Sequence, residues 1–104
     1  MSDNIKHENI NDAIEYQNNA IVSKQIIKKS NGNITLFAFD KDESLSEHTS
    51  PYEAFVYVVE GEMEITIGGN PYNLKSGEFI IMPSNIPHGL KSIIQSKMLL
   101  VMIK

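Results

Sequence analysis

The sequence of 104 residues contains no cysteine. This absence excludes disulfide bonds, thiolate zinc sites and cysteine nucleophiles together, and it fits the cytoplasm. The N-terminal residues 1–7 have no apolar core of signal-peptide length, and no apolar run approaches the length of a transmembrane helix. We therefore expect a cytoplasmic protein that has no membrane partner.

Positive charge is also scarce. The chain has 9 lysine and arginine residues against 13 aspartate and glutamate residues, and its formal net charge is −4. Nucleic-acid binding depends largely on neutralising phosphates with clustered basic side chains, and this sequence has no such cluster. We therefore expect no nucleic-acid partner.

Familiar catalytic motifs are missing as well. The pair Gly68-Gly69 stands in a turn between two strands, so it cannot be the phosphate-binding loop that precedes a helix. No serine stands in a nucleophile-elbow pattern. The acidic residues fall mostly in loops and at outward strand positions, which disfavours a glycosidase with paired carboxylates.

Short apolar segments separated by glycine and proline make up most of the chain. They predict strands at residues 21–28, 34–39, 54–59, 63–67, 79–82 and 98–103. Short strands at close and even spacing are typical of an all-β barrel or sandwich, and the length suits one domain. Residues 40–44 are charged and predict a solvated loop.

The first twenty residues differ from the rest because they are rich in Asn, Asp and Glu. Ile10, Ala13 and Ile14 recur at helical spacing, and Asn11 is a candidate N-cap, so we predict at most one helical turn. We divide the chain into a lead-in segment at 1–20 and a barrel domain at 21–104.

Three predicted strands are apolar on both faces: 54–59, 79–82 and 98–103. A strand with one wet face should alternate, as 63–67 does, with Met63, Ile65 and Ile67 apolar and Glu64 and Thr66 polar. In a barrel this small, the second apolar face calls for another subunit. We therefore predict a homodimer.

The stretch between His48 and His88 resembles the cupin superfamily of small β-barrels. In the first cupin motif, His48 matches the first histidine and Gly61 matches the closing glycine. In the second motif, Gly77, Pro83 and His88 match the family residues at the family spacing. The resemblance covers roughly residues 34–104. It implies an all-β fold, a single-domain cupin-type barrel also described as a double-stranded β-helix or jelly roll.

The resemblance also implies a metal site, from which this sequence departs. Ser50 stands where the family has its second histidine, and Ala54 stands where it has glutamate, with Glu53 one position early. Asn85 replaces the glycine of the second motif. By this resemblance, His48 and His88 are metal residues, and Glu53 is a further candidate. The ion would be a divalent transition metal (Zn, Ni, Fe or Mn) held weakly with water. The alternative is that both histidines are hydrogen-bonded core or rim residues in a barrel that has lost its metal. Strand alternation turns residue 53 away from residue 54, so Glu53 joins only through a bulge.

A small-molecule pocket inside the barrel needs a mostly apolar wall. The wall candidates are Tyr52, Phe55 or Val56, Tyr57, Met63, Ile65, Met82, Met98 and Met102. Among these we assign ligand binding to Tyr52, Tyr57, Met63, Met82 and Met98. For each of them, plain core packing is the alternative.

Three functions are open at this point. The first is a module that binds a small molecule in the barrel, with a weak or degenerate divalent-metal site. The second is a metal-dependent enzyme of the isomerase, dioxygenase or lyase type that uses His48 and His88 as ligands. The third is a dimer scaffold. The departures at Ser50 and Ala54 favour the first over the second, and whether the protein is an enzyme stays open.

Overall fold

The computed structural model describes residues 5–104. Nine β-strands form within this range, and every strand pairing is antiparallel. In chain order the strands are β1 (Ile21–Lys29), β2 (Gly32–Phe39), β3 (Ser44–His48), β4 (Glu53–Glu60), β5 (Glu62–Ile67), β6 (Asn70–Lys75), β7 (Phe79–Met82), β8 (His88–Ser92) and β9 (Ser96–Ile103).

The strands form two sheets. The larger sheet has five strands in the order β1-β2-β9-β4-β7, and the smaller has four in the order β3-β8-β5-β6. Fully buried core side chains come from both sheets, and they include Phe39, Val56 and Met98 of the larger sheet and Met63 and Ile65 of the smaller one. The core therefore lies between two sheets, which confirms the predicted all-β, single-barrel architecture.

Alternation along β4 decides which side chains face this core. Ala54, Val56 and Val58 are buried, whereas Phe55 and Tyr57 between them are only half-buried. Successive side chains of a strand point to opposite faces, so the first three face the core and the other two face outward. This phase fixes which residues of β4 can reach the interior.

Strands β3, β6 and β8 were not predicted, and the loop predicted at 40–44 ends where β3 begins. The segment Ser44–His48 has one apolar residue, Leu45, and the segment His88–Ser92 also has one, Leu90. Neither has the β-branched content that marks a strand by itself. Both are strands because β8 pairs with β3 on one side and with β5 on the other.

The lead-in forms a short 3-10 turn, Ile10–Asp12, and the cap differs from the prediction. The side-chain oxygen of Asn9 accepts a hydrogen bond from the Asn11 N–H at 2.9 Å, so Asn9 is the N-cap and the assignment of Asn11 was wrong. Ile14 is buried among residues of the large sheet that include Leu36 and Ala38. The lead-in thus covers part of the outer surface of that sheet.

A polar cluster fastens the lead-in to the barrel. The hydroxyl of Tyr16 donates to the Glu60 carboxylate, and the Lys97 ammonium lies 5.1 Å from the centroid of the Tyr16 ring. Burial and the neighbouring Glu60 carboxylate raise the pKa of Tyr16, so the hydroxyl keeps the proton that it donates.

The outer surface of the large sheet also carries a cluster of exposed and half-buried apolar side chains. Phe79 is 60% exposed, Ile103 57% and Ile81 43%, and the rings of Phe55 and Phe79 stack with centroids 5.0 Å apart. We call this surface the open face. It is formed by Phe55, Tyr57, Phe79, Ile81, Val101 and Ile103. Among residues 5–104, no helix is long and apolar enough to cross a membrane.

Candidate functional site

Two histidines on paired strands define the candidate site. His48 ends β3 and His88 begins β8, and the two residues lie opposite each other after an irregularity that follows Leu45. Their ring centroids are 4.4 Å apart, and the ring planes meet at 66°. The predicted proximity of the two histidines is therefore confirmed, while their role as metal ligands stays a prediction.

Matching hydrogen bonds orient the two rings and select the nitrogen that carries hydrogen in each. The Nδ1 atom of His48 lies 3.0 Å from the carbonyl oxygen of Ser46, and the Nδ1 atom of His88 lies 3.2 Å from that of Ile86. A carbonyl oxygen only accepts, so each Nδ1 carries a hydrogen and donates it. In the neutral ring, the lone pair then lies on Nε2, which is free to accept a hydrogen bond or bind a metal.

The two rings differ in burial. His88 is 5% exposed, whereas His48 is exposed. Burial, and to a lesser extent the nearby His48, lower the pKa of His88, although its hydrogen bond to Ile86 acts in the opposite direction. The lowered pKa favours the neutral ring at physiological pH. Only the neutral ring has a nitrogen lone pair that can bind a metal or accept a hydrogen bond.

A turn between β7 and β8 holds the histidines in place. Asn85 has a φ of +62°, in the left-handed region that most residues avoid and that asparagine tolerates. Its backbone N–H donates to the carbonyl oxygen of Ser50 at 2.7 Å. This bond joins the segment before His88 to the segment after His48. The conformation also explains how asparagine replaces the glycine of the cupin motif.

A cavity of about 190 Å³ lies beside the two rings. Its wall comes from both sheets and is mostly apolar. The lining residues are Leu45, His48, Ser50, Ala54, Met82, His88, Leu90, Met98, Leu100 and Met102. Four residues assigned to a site from the sequence meet here, namely both histidines, Met82 and Met98. The departures Ser50 and Ala54 also line the cavity, so the two missing family ligands would have faced this space.

Three of the other assigned residues do not line the cavity. Two of them point outward from their strand, and one is buried in another part of the core. Glu53 is exposed on β4 next to the inward Ala54, and it faces away from the cavity, so no bulge brings it to the histidines. Tyr57 lies on the open face opposite Phe79. Met63 on β5 is fully buried in the core, outside the cavity wall. These three residues therefore lie outside the candidate site.

Tyr52 also lies outside the cavity wall. It precedes β4, and the Lys104 ammonium is 5.0 Å from the centroid of its ring. Its backbone N–H donates to the hydroxyl of Ser50 at 3.2 Å. Tyr52 therefore contributes to the site only by holding the cavity residue Ser50.

Sequence reasoning missed three leucines of the wall. Leu45 and Leu90 lie on β3 and β8, the strands without a strong sequence signal, and they pair directly. Leu100 lies between Met98 and Met102 on β9. His88, Leu90 and Ser92 are all buried, but only Leu90 is apolar, so the sequence carried no clear alternation for β8.

The cavity has too few metal-ligating side chains to complete a site for a divalent transition metal. In the part of the chain that the structure describes, no group of three or more His, Cys, Asp or Glu side chains could hold a metal. The described cavity wall offers two imidazoles, one hydroxyl and no carboxylate. A tight site usually needs three or four protein ligands. No reaction step through a divalent metal follows from this donor set.

Two facing antiparallel sheets around an interior cavity with paired imidazoles define a small β-barrel protein with its candidate site inside the barrel. The family model for the cupin domain matches residues 35–104. The chain belongs to the cupin family, as its motifs indicated.

Two solved structures are similar to this chain in both sequence and fold. A conserved protein of unknown function from Streptococcus pyogenes is 32% identical, with a TM-score of 0.91 over 100% of this chain and 96% of that one. A cupin 2 conserved barrel domain protein from Leptotrichia buccalis is 40% identical, with a TM-score of 0.85 over 88% of this chain and 44% of that one.

A curated relative matches over a shorter stretch. The polyketide synthase CurC of Streptomyces cyaneus is 36% identical over 52 residues, which are 49% of this chain and 34% of that protein. The match therefore spans about a third of the length of this relative.

Proposed function

We propose that this protein binds a small, mostly apolar molecule inside the barrel. The observation that carries the proposal is the cavity of about 190 Å³, with an apolar wall and two imidazoles at one side. Apolar cavities of about 150 Å³ accept a molecule the size of benzene. A ligand with about one ring therefore fits the space available.

The two imidazoles favour a ligand that carries a hydrogen-bond donor. Each Nδ1 hydrogen is occupied by a backbone carbonyl, so each Nε2 atom presents a lone pair. A ligand hydroxyl or N–H group can donate to such an atom. A few placed polar groups in an apolar pocket fix orientation and provide specificity. We therefore infer a ring-sized apolar ligand with a hydrogen-bond donor at one end.

The comparisons support the barrel fold that encloses the proposed ligand. One relative is named a polyketide synthase, but the match spans about a third of that protein. A structural neighbour from Ralstonia eutropha is described as a putative mannose-6-phosphate isomerase, and at 17% identity it supports the fold alone.

Divalent metal binding is the weaker part of the proposal. His48 and His88 can supply two nitrogen ligands to zinc, nickel, iron or manganese, and water or the small molecule would complete the shell. With two neutral protein ligands, we expect weak retention of any such ion. Metal chemistry would therefore depend on added metal.

The second candidate function is a metal-dependent enzyme of the isomerase, dioxygenase or lyase type. Open positions on a metal are what catalysis needs, and the pairing of His48 with His88 favours this candidate. Ser50 and Ala54 weaken it, because both face the cavity without supplying a strong ligand. Metal analysis of protein purified without added metal separates the two candidates, since an enzyme of this type would need a third ligand that retains the metal, whereas two imidazoles alone should lose it.

Phenol is a suitable probe for the main proposal because it has one ring and one hydrogen-bond donor. We expect calorimetric titration of the full chain with phenol to show one site per chain, and benzene to bind less tightly. Ala54→Leu should fill the cavity and abolish phenol binding. Glu53→Leu is the matched control, because it adds the same side chain on the opposite face of β4 and should bind phenol like the parent.

Melting curves must accompany this test, because Ala54→Leu adds volume to a packed interior. If Ala54→Leu unfolds, His48→Ala provides the second test, and it should weaken phenol binding more than benzene binding. Equal binding of phenol by the parent and by a folded Ala54→Leu variant would refute the proposal.

We also infer that the protein is a homodimer in which a second copy covers the open face. The lead-in already covers the neighbouring part of the same sheet with residues such as Ile14. The open face continues that surface with large apolar side chains, of which Phe79 is 60% exposed. The same patch on two copies can pair about a twofold axis.

Light scattering at micromolar concentration tests this assembly. We expect the parent to be a dimer and Phe79→Glu to be a folded monomer. Ile94→Glu is the control, because Ile94 is 48% exposed but lies in the turn between β8 and β9, outside the open face. A monomeric parent, or a Phe79→Glu variant that remains dimeric, would contradict the inference.

A further inference from the structure

Methionine is concentrated in the wall of the cavity. The sequence has 5 methionines, and three of them, Met82, Met98 and Met102, line the cavity beside the histidines. Met82 and Met102 lie directly opposite Ala54 from the two neighbouring strands, β7 and β9. A row of Met82, Ala54 and Met102 thus crosses the inner face of the sheet, with a methyl group between two thioether side chains.

Methionine and histidine together form a neutral and soft donor set. Thioether sulfur selects soft ions such as Cu(I), and imidazole binds copper as well. The described wall holds no carboxylate that could offset the charge of a divalent ion. Placing charge in an apolar interior is costly unless it is compensated, so a single positive charge suits this cavity better than two.

The two histidines are prepared for such an ion. Their Nδ1 atoms donate to the carbonyl oxygens of Ser46 and Ile86, which leaves both Nε2 atoms as electron-pair donors. A hydrogen bond from the second ring nitrogen is the usual means of fixing a metal-binding imidazole. The ring centroids are 4.4 Å apart, and both histidines line the same cavity, so one ion in that cavity could contact both rings.

We propose that the cavity is a Cu(I) site formed by the Nε2 atoms of His48 and His88 and by the thioethers of Met82 and Met102. Met98 lies four residues along β9 from Met102, roughly 13 Å away, and forms the deeper wall. The proposal deepens the metal part of the proposed function, since it replaces a weak divalent ion with a soft monovalent one, and it rests on the same cavity.

Silver(I) is a redox-inert probe for this site. In the full chain with ¹³C-labelled methionine methyl groups, one equivalent of Ag(I) should shift the Met82 and Met102 resonances. Met63 is the internal control, because it is fully buried in the core but does not line the cavity. Shifts of similar size at Met63, or none at Met82 and Met102, would overturn the proposal.

Affinity for Cu(I) itself is then measured anaerobically by competition with a chromophoric Cu(I) chelator. We expect His48→Ala, and the double variant Met82→Leu with Met102→Leu, each to weaken Cu(I) binding roughly tenfold or more. Met63→Leu is the matched control and should bind like the parent. The double variant should leave zinc affinity unchanged, because zinc prefers the imidazoles.

Methionine-to-leucine changes conserve volume and usually cost less than about 1.5 kcal/mol, so the double variant should fold. If it does not, Met102→Leu alone serves as the test. Unchanged Cu(I) affinity in a folded methionine variant overturns the site. Phenol binding without Cu(I) binding refutes this inference alone, whereas Cu(I) binding without phenol binding refutes the small-molecule proposal alone.

Discussion

Restoring the family carboxylate by Ala54→Glu tests the geometry of the cavity directly. Ala54 is 3% exposed and lines the apolar cavity that holds the two histidines. An unpaired carboxylate there should bind a proton rather than stay charged. At pH 7, protonating a glutamate with an unperturbed pKa of about 4.3 costs up to about 3.7 kcal/mol, because each pKa unit is worth about 1.36 kcal/mol.

The pH dependence of this effect identifies its cause. The raised pKa of the introduced carboxyl means that the unfolded state loses its proton first as pH rises, so the folded variant is penalised increasingly above about pH 4.3. At pH 5 the same calculation gives only about 1 kcal/mol. Ala54→Gln is the control of equal size, and its destabilisation should not change between pH 5 and pH 7.

Zinc should then rescue the variant. With the carboxylate added to His48 and His88, the site gains a third and negatively charged ligand. Free zinc at 100 times its dissociation constant would stabilise the fold by about 2.7 kcal/mol. For a domain of this size each kcal/mol corresponds to about 4 to 8 °C in melting temperature. Circular dichroism melting, with and without zinc, measures both effects.

Two results would contradict the position of residue 54 beside the histidines. If Ala54→Glu and Ala54→Gln melt alike at pH 7 without metal, residue 54 does not face an apolar cavity. If zinc stabilises Ala54→Glu no more than it stabilises the parent, the histidines do not share a space with residue 54.

Further predictions concern the turns and the acid limit of stability. Gly61 and Gly77 both have positive φ, but a Cβ at residue 61 would lie 2.4 Å from the carbonyl oxygen of Gln95, whereas one at residue 77 has no atom within 4 Å. We expect Gly77→Ala to cost about 1 to 2 kcal/mol and Gly61→Ala clearly more by urea unfolding, and equal costs would contradict the close approach. Hydrogen bonds lower the pKa of Asp40 below its usual 3.8, and the bond from the Asn19 N–H makes the largest contribution. The stabilisation that the Asp40 carboxylate provides is therefore present above pH 3.8 and is lost as the pH falls through the lowered pKa. In Asp40→Asn, the free energy of unfolding should consequently fall less steeply at acidic pH, which gives the acid limb of the stability curve a smaller slope. An unchanged limb would show that the carboxylate does not stabilise the fold.

The sequence predicts some parts of this fold well because their signals are local. The segments at 21–28, 79–82 and 98–103 carry β-branched and apolar runs, and each is a strand in the structure. The two histidines are predictable as a pair because the spacing of the cupin motifs places them together. Ser50 and Ala54 are recognisable as departures for the same reason.

Other parts depend on contacts that a local pattern does not contain. Strand β4 is apolar on both faces, so alternation alone did not decide whether Phe55 or Val56 faces inward. The same uncertainty placed Tyr57 in the pocket wall, whereas the pairing of β4 with β9 and β7 turns it outward. Leu45 and Leu90 reach the cavity only because two weak strands pair across a long sequence separation.

Imidazole nitrogen NMR of the full chain, before and after addition of phenol, shows whether the cavity beside His48 and His88 binds a ligand. We expect both histidines to carry hydrogen on Nδ1 in the neutral state, and phenol to shift the Nε2 resonance of at least one of them. His7, in the lead-in, is the internal control and should not respond. Hydrogen on Nε2 of both site histidines, or equal phenol shifts at His7, would contradict a binding site between His48 and His88.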